Sequence, residues 1–225
     1  MSELQYEVFS GDVIHFPRAI PNAQEIIDLT ENNKGLVIGE WLPWYANADT
    51  KDTQYGLMKK INRQDLETEP DADIKAKALK ILTSVDNVVA ECFKIYHRHL
   101  GLSEEIVNSM YGFFMVNRSD HYAVKKYFVE QGLGPHPDWD SEDPIGLTFA
   151  VYLNDDYDGG ELNFPYNGIT IPSTPGSVVI FPSVYFHQGM TLNSGVKYFI
   201  NEVAVIPRNM AEQSSRVEEL EWMHL

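Results

Sequence analysis

The feature that most constrains this chain is a change of hydrophobic period near its middle. Between Asp71 and Leu100, the residues Ile74, Ala78, Ile81, Leu82, Val85, Val88, Val89, Cys92, Phe93 and Tyr96 recur at helical spacing. The stretch predicts one long helix with an apolar stripe. Asp71 and Asp73 suit its N-terminus, where the helix dipole favours negative charge, and Gly101 suits its end. His97 and His99 in the last turn read as complements to that dipole rather than as metal ligands. Cys92, lying on the stripe, reads as a small buried hydrophobe and not as a nucleophile. After about residue 108 the period shortens. "MYGFFMV", "HYAVKKYFV", "IGLTFAVYL", "ELNF", "GITI", "GSVVIF" and "VKYFINEVAVI" are short β-rich runs separated by turn residues. Helices followed by many short strands predict an α+β chain whose C-terminal half is a sandwich or barrel.

Upstream, "PNAQEIIDLTENNKG" predicts another helix, with Asn22 and Glu25 as a capping box and Gly35 as the stop. The next stretch, "GEWLPWYANADTKDTQYGLMKK", has no clear period and carries Trp41, Trp44, Tyr45 and Tyr55. It reads as a long loop or irregular hairpin, either a lid spanning residues 41–60 or an aromatic anchor on the core. The 225 residues are 44% hydrophobic, enough to bury a real core, and no linker interrupts them. We therefore expect one domain over residues 1–225, with helical support in 1–105, a β core in 106–207 and a tail in 208–225. The tail could form a short helix packed on the domain or on a partner chain.

Composition excludes several classes. No stretch reaches the roughly 20 apolar residues that span a bilayer, so no membrane partner is expected. The acidic, mixed N-terminus lacks a secretory pattern, and the single cysteine cannot form an internal disulfide; both fit a cytoplasmic protein. Seventeen basic against thirty-three acidic side chains give a net charge of −16, which repels phosphate backbones and argues against nucleic acid. Solubility is the first reading of that charge and attraction of a basic peptide the second. Nothing in the pattern fixes an oligomeric state.

Candidate chemistry begins at "GLGPHPDWD", where His136 and Asp138 stand two apart. Alone the pair means little, because this composition yields roughly half of one His-x-Asp by chance. "NDDYDGGEL" imitates the first half of a calcium loop, but no bidentate Glu closes it and it reads as a solvated turn. The strand "IGLTFAVYLN" alternates, with Thr148, Ala150 and Tyr152 on a face fit to line a cavity. Its other face, Leu147, Phe149, Val151 and Leu153, suits packing against helices. Farther on, an apolar strand approaches His187 and a later strand opens with Lys197, which shares a face with Phe199 and Asn201. Neither face of that strand is cleanly apolar, so the direction of Lys197 stays open. Two imidazoles and one carboxylate form the facial triad of non-haem Fe(II) oxygenases, which leaves coordination positions open.

These residues resemble the Fe(II)/2-oxoglutarate dioxygenase superfamily, most closely its prolyl 4-hydroxylase branch, over about residues 110 to 206. "YFVEQGLGPHPD" is similar to the family segment Y-x-V-x-G-Q-Y-x-P-H-x-D, with Leu133 where Tyr is usual. "TFAVYLNDDYDGGELNFP" resembles T-x-x-x-YLN…GGE-x-x-FP, and "HQGMTLNSGVK" fits H-x4-[VL]-x2-G-x-[RK]. The resemblance implies a double-stranded β-helix (jelly roll) core with N-terminal supporting helices. It implies that His136, Asp138 and His187 bind Fe(II) and are catalytic, and that Lys197 grips the C5 carboxylate of 2-oxoglutarate. Tyr127, Tyr152 and Thr148 would line the co-substrate pocket. It further implies 2-oxoglutarate and O2 as co-substrates, ascorbate as an optional addition, and oxidative decarboxylation to succinate and CO2 coupled to hydroxylation of a C–H bond. A carboxylate at Asp138 favours hydroxylation over halogenation. A peptidyl proline is the leading substrate. Hydroxylation of another side chain or a free amino acid, and a non-catalytic jelly-roll binding module, stay open as alternatives, because residues 1–100 show no recognisable peptide-substrate module.

Overall fold

In the computed structural model, which describes residues 4–9, 12–44, 56–116, 120–138 and 145–206, the chain opens with β1 (Glu7–Val8) and β2 (Ile14–Phe16), then α1 (Ala23–Asn32). β3 (Leu42–Pro43) and β4 (Leu57–Asn62) pair antiparallel, and α2 (Ala72–His99) and α3 (Glu104–Val116) follow. The β-rich part contains β5 (His121–Tyr127), β6 (Leu133–His136), β7 (Ile145–Tyr152), β8 (Asp158–Gly159) and β9 (Leu162–Phe164). It continues with β10 (Ile169–Ile171), β11 (Val178–Pro182), β12 (His187–Gly189), β13 (Leu192–Ser194) and β14 (Lys197–Ile206). Tyr45, Tyr55, the middle of the aromatic segment, His224 and the tail from 208 lie outside the described residues. The aromatic segment is a hairpin at its two ends, β3 and β4.

α2 follows its stripe. The Asp71 side chain caps it by accepting from Asp73 N and Ile74 N, at 3.0 and 3.1 Å, a bond whose loss costs about 0.5–2 kcal/mol. Ala78, Leu82, Val85, Val89, Cys92 and Tyr96 are wholly buried and Val88 is half-buried; each large apolar side chain so buried contributes about 1.5–3 kcal/mol. His97 departs from the dipole reading: it is buried, stacks on Phe93 at 6.0 Å, and burial pushes its pKa down to about 4. It is neutral at physiological pH and cannot act as a cation at the helix end.

α1 forms where expected, but its ends differ. Asn22 makes no side-chain cap; its Oδ1 instead accepts from Ser84 on α2. The helix stops at Asn33, whose amide bonds the Leu29 carbonyl, two residues before Gly35. A Cβ at Gly35 would lie 2.6 Å from the Glu69 carboxylate oxygen that accepts from Val37 N, so a larger residue there would displace that contact. The larger correction concerns "MYGFFMV", read as a strand and found within α3. Ser103 starts that helix with backbone and side-chain bonds to Val107 N and Ile106 N, and Val107, Met110 and Phe114 pack on α2. Tertiary packing of an apolar face overrides the β propensity of Phe, Tyr and Val.

The strands make an eight-stranded sheet of order β1-β2-β11-β7-β14-β5-β4-β3, a four-stranded sheet β10-β9-β12-β6 and the pair β13-β8. Neighbours in the large sheet run antiparallel. One face of β7 behaves as expected: Leu147, Phe149, Val151 and Leu153 join the helix-side core, with Phe149 edge-on to Phe93 at 5.9 Å. On the opposite face Tyr127, Tyr152, Val179, Phe181 and Phe199 pack with Leu162, Phe164, Ile169 and Ile171 of the small sheet. The large sheet is therefore covered on both faces, and the second interface opens into a cleft.

Candidate active site

β6 and β12 pair antiparallel with His136 directly opposite His187, which brings residues fifty-one positions apart to one point. Their rings lie 4.5 Å apart between centroids. Each imidazole is oriented the same way, by the carbonyl two residues earlier: His136 Nδ1 to Gly134 O at 2.8 Å and His187 Nδ1 to Tyr185 O at 3.0 Å. Carbonyls only accept, so both Nδ1 atoms carry the proton and both Nε2 lone pairs are left for a ligand. Asp138 completes the cluster, with His136 Nε2 at 3.5 Å from Oδ1 and His187 Nε2 at 3.4 Å from Oδ2. Among the described residues this is the one group of three or more His, Cys, Asp or Glu side chains whose ligand atoms converge, all within 4.8 Å.

The carboxylate is held from behind. Asp138 N donates to Ser183 O at 2.9 Å, fixing the chain where Pro137 offers no donor. Thr148 Oγ1 donates to Asp138 Oδ2 at 2.8 Å and lies 3.0 Å from the buried Ser183 hydroxyl. Burial works against the charge on Asp138, but His136, His187 and Thr148 together hold its carboxyl below the usual range. His136 is likewise opposed by burial and raised by Asp138 and the Gly134 carbonyl, while burial dominates at His187 and lowers it. Two imidazoles with their Nε2 atoms facing one carboxylate, oriented by outer hydrogen bonds, are a donor set that fits a divalent transition metal, of the same residue types as the Fe(II) facial triad.

The cleft below the cluster contains about 450 Å³ of empty space, part of it open to solvent, and is lined by Trp44, Tyr127, Thr148, Tyr152, Lys197 and Asn201 among others. Lys197, left undirected by its sequence, points inward. It is 3% exposed, donates to Gly160 O, and lies 4.8 and 4.9 Å from the Tyr152 and Phe199 ring centroids. Burial pushes its pKa down to about 7, with only the Glu161 carboxylate pulling the other way. The second glycine of "NDDYDGGEL" makes room for it. Gly160 has φ +71°, and a Cβ there would sit 3.3 Å from Lys197 Cδ. That loop is not simply solvated: Asn154 donates to Asp156 and to Val196 O and accepts from Tyr198 N.

Six of the seven residues singled out from sequence thus line one cleft, and the seventh, Asp138, contacts three of them, His136, His187 and Thr148. The remaining described histidines do not join them; His15 is buried 3.9 Å from Glu7, and His121 sits at the far end of β5, opposite Asn62. Sequence reading missed Lys125 and Ser183. Lys125 is two residues from Tyr127 and so shares its face, but the doublet Lys125–Lys126 hides which of the two turns inward. Ser183 carries no sequence signal, because its role depends on a turn meeting Thr148.

No family model matches the chain, and its sequence matches no curated protein. Solved structures do match. A prolyl hydroxylase from Trichoplax adhaerens, in complex with a hypoxia inducible factor peptide fragment, is similar over 92% of this chain and 88% of its own, at TM-score 0.56 and 14% identity. A Pseudomonas putida prolyl-4-hydroxylase is similar over 88% and 94%, at 0.51 and 14%. An oxidoreductase of the 2OG-Fe(II) oxygenase family from Burkholderia pseudomallei is similar over 90% and 94%, at 0.50 and 11%. The fold is that of the 2OG-Fe(II) oxygenases. At such identities the likeness rests on the course of the backbone; the residues at the cleft have to be judged by their own geometry.

Proposed function

We propose that the chain is an Fe(II)/2-oxoglutarate-dependent dioxygenase of prolyl 4-hydroxylase type, a single catalytic domain over residues 1–225 built on a double-stranded β-helix. The observation that carries the reading is the pair of Nε2 atoms and the Asp138 carboxylate converging at a cleft that the buried Lys197 also lines. His136, Asp138 and His187 would hold Fe(II), which with 2-oxoglutarate and O2 supplies decarboxylation to succinate and CO2 coupled to hydroxylation of a C–H bond. Lys197 would receive the C5 carboxylate of 2-oxoglutarate. A desolvated ammonium with one carbonyl partner gains a charge-assisted hydrogen bond when an anion arrives, worth about 1.5–3 kcal/mol. The Tyr127, Tyr152 and Phe199 rings exclude water around that contact and so strengthen it. Thr148, backed by Ser183, keeps the Asp138 plane facing the two imidazoles. The prime substrate in this reading is a prolyl residue of a peptide, supported by the backbone likeness to a prolyl hydroxylase solved with a peptide.

Succinate release from 2-oxoglutarate, with Fe(II) and proline-containing peptides, tests the proposal. Wild-type protein should release succinate, and His187→Ala or Asp138→Ala should abolish both release and metal binding. No succinate from wild type under any of these conditions would favour a non-catalytic binding module.

A further inference from the structure

Directly behind the cleft wall, against its lining residues Trp44, Phe199 and Asn201, lies a second buried ammonium that the proposed chemistry does not use. Three lysines are buried among the described residues: Lys59, Lys125 and Lys197. Lys59 is structurally satisfied, donating to Thr30 O at 2.6 Å and to Asn33 O at 3.0 Å. Lys125 is not. It projects from β5 on the Tyr127 face, opposite Phe199 of β14, and its Nζ donates to the Asn201 side-chain oxygen. Its other neighbours are ring faces, Trp44 at 3.9 Å and Phe199 at 6.0 Å from the centroids. In a chain with thirty-three acidic side chains, none among the described residues pairs with it; Glu202 and Asp138 act on it only at a distance. Burying an ammonium without a counter-charge is costly, and an aromatic face offsets only part of that cost.

The donors around this ammonium suit a carboxylate. Asn201 spends its oxygen on Lys125, and its Nδ2 has no partner among the described residues, so the cleft wall at Asn201 offers an amide donor backed by the Lys125 ammonium. An amide donor with a positive charge behind it matches a monoanionic carboxylate, whereas the net charge of −16 disfavours a phosphate dianion. Position completes the case. Asn201 pairs with Ala150, two residues along the same face from Thr148, which bonds Asp138. Lys197 lies four residues from Asn201 along β14, roughly 13 Å at strand rise, and two residues, roughly 7 Å, from the level of Lys125, with the Phe199 ring between the two lysines. Two carboxylates can therefore be held at once, one at each lysine.

We propose that Lys125, with Asn201 and Trp44, is a specificity site for a carboxylate on the prime substrate. The hydroxylated unit then carries a free α-carboxylate, as a free amino acid or the C-terminal residue of a peptide, rather than lying inside a chain. The inference rests on the oxygenase reading above and names the substrate class of the same cleft.

The test is equilibrium binding without turnover, in protein loaded with Mn(II) and 2-oxoglutarate under anaerobic conditions. The probes are the free L-amino acids and short peptides ending in proline, each as acid and as carboxamide. At least one acid should bind, with its carboxamide about 10- to 100-fold weaker. Lys125→Met should erase that preference. So should Asn201→Asp, which keeps the ammonium but occupies it with an internal carboxylate and serves if Lys125→Met fails to fold. Equal binding of acid and amide, no acid binding at millimolar concentration, or an undiminished preference in both variants would overturn the inference. Binding of 2-oxoglutarate by wild type, read separately, distinguishes the two failures: its absence sinks the oxygenase reading, its presence without acid preference sinks only the Lys125 assignment.

Discussion

Replacing Lys197 by Met separates a cation kept for a ligand from one kept for the fold. Burial pushes this ammonium from 10.5 down to about 7, which at about 1.4 kcal/mol per tenfold change in proton affinity caps the cost of burying the charge near 5 kcal/mol. Substituting an apolar side chain of similar length for a buried, poorly paired ion commonly stabilises a protein, here by about 1–3 kcal/mol or roughly 2–12 °C in melting temperature. The pH dependence has a definite sign. Below pH 7 the side chain is charged both folded and unfolded, and folding bears the full cost. Between about 7 and 10.5 the folded form sheds its proton first, so wild-type stability rises and the advantage of Lys197→Met fades. Co-substrate affinity should move oppositely, falling about 10- to 150-fold in the variant with loss of the charge-assisted contact. Thermal melts from pH 6 to 10 and calorimetric titration of 2-oxoglutarate into Mn(II)-loaded protein measure both. In wild type, affinity should decline above pH 7, as binding must then recruit a proton. A variant that melts lower at pH 6, or that keeps wild-type affinity, would refute the assignment of Lys197 as an anion receptor.

Other perturbations follow from the same contacts. Thr148→Val removes the bond to Asp138 Oδ2 while keeping the shape; Mn(II) affinity, followed by electron paramagnetic resonance, should drop about 10- to 100-fold. Gly160→Ala forces a Cβ onto a residue at φ +71° beside Lys197, and should cost about 1–2 kcal/mol in urea unfolding. Lys59→Met, which strands two backbone carbonyls rather than freeing a cleft cation, should destabilise by about 1–3 kcal/mol, the reverse of Lys197→Met. Asp71→Ala strips the α2 cap and should lower stability by about 0.5–2 kcal/mol without altering metal affinity.

Local period was enough for α2, whose stripe and capping aspartate define its face and start, and for the two faces of β7, one of them wholly apolar. The order of His136, Asp138, His187 and Lys197 along the chain pointed to the chemistry proposed above, since residue type and spacing are properties of sequence. Other features were not local. "MYGFFMV" is helical because α2 offers it a surface, and His97 is neutral because the same packing shuts out water. Direction on β14 was illegible for a related reason: helices cover one side of the large sheet and the small sheet the other, so apolar residues occupy both faces and alternation marks no outside. Only the pairing of β14 with β5 and β7 turned Lys197, Phe199 and Asn201 toward the cleft and set Lys125 among them. Chain order could nominate candidate ligands. The registry of β6 against β12, a long-range event that no single segment encodes, decided that they meet.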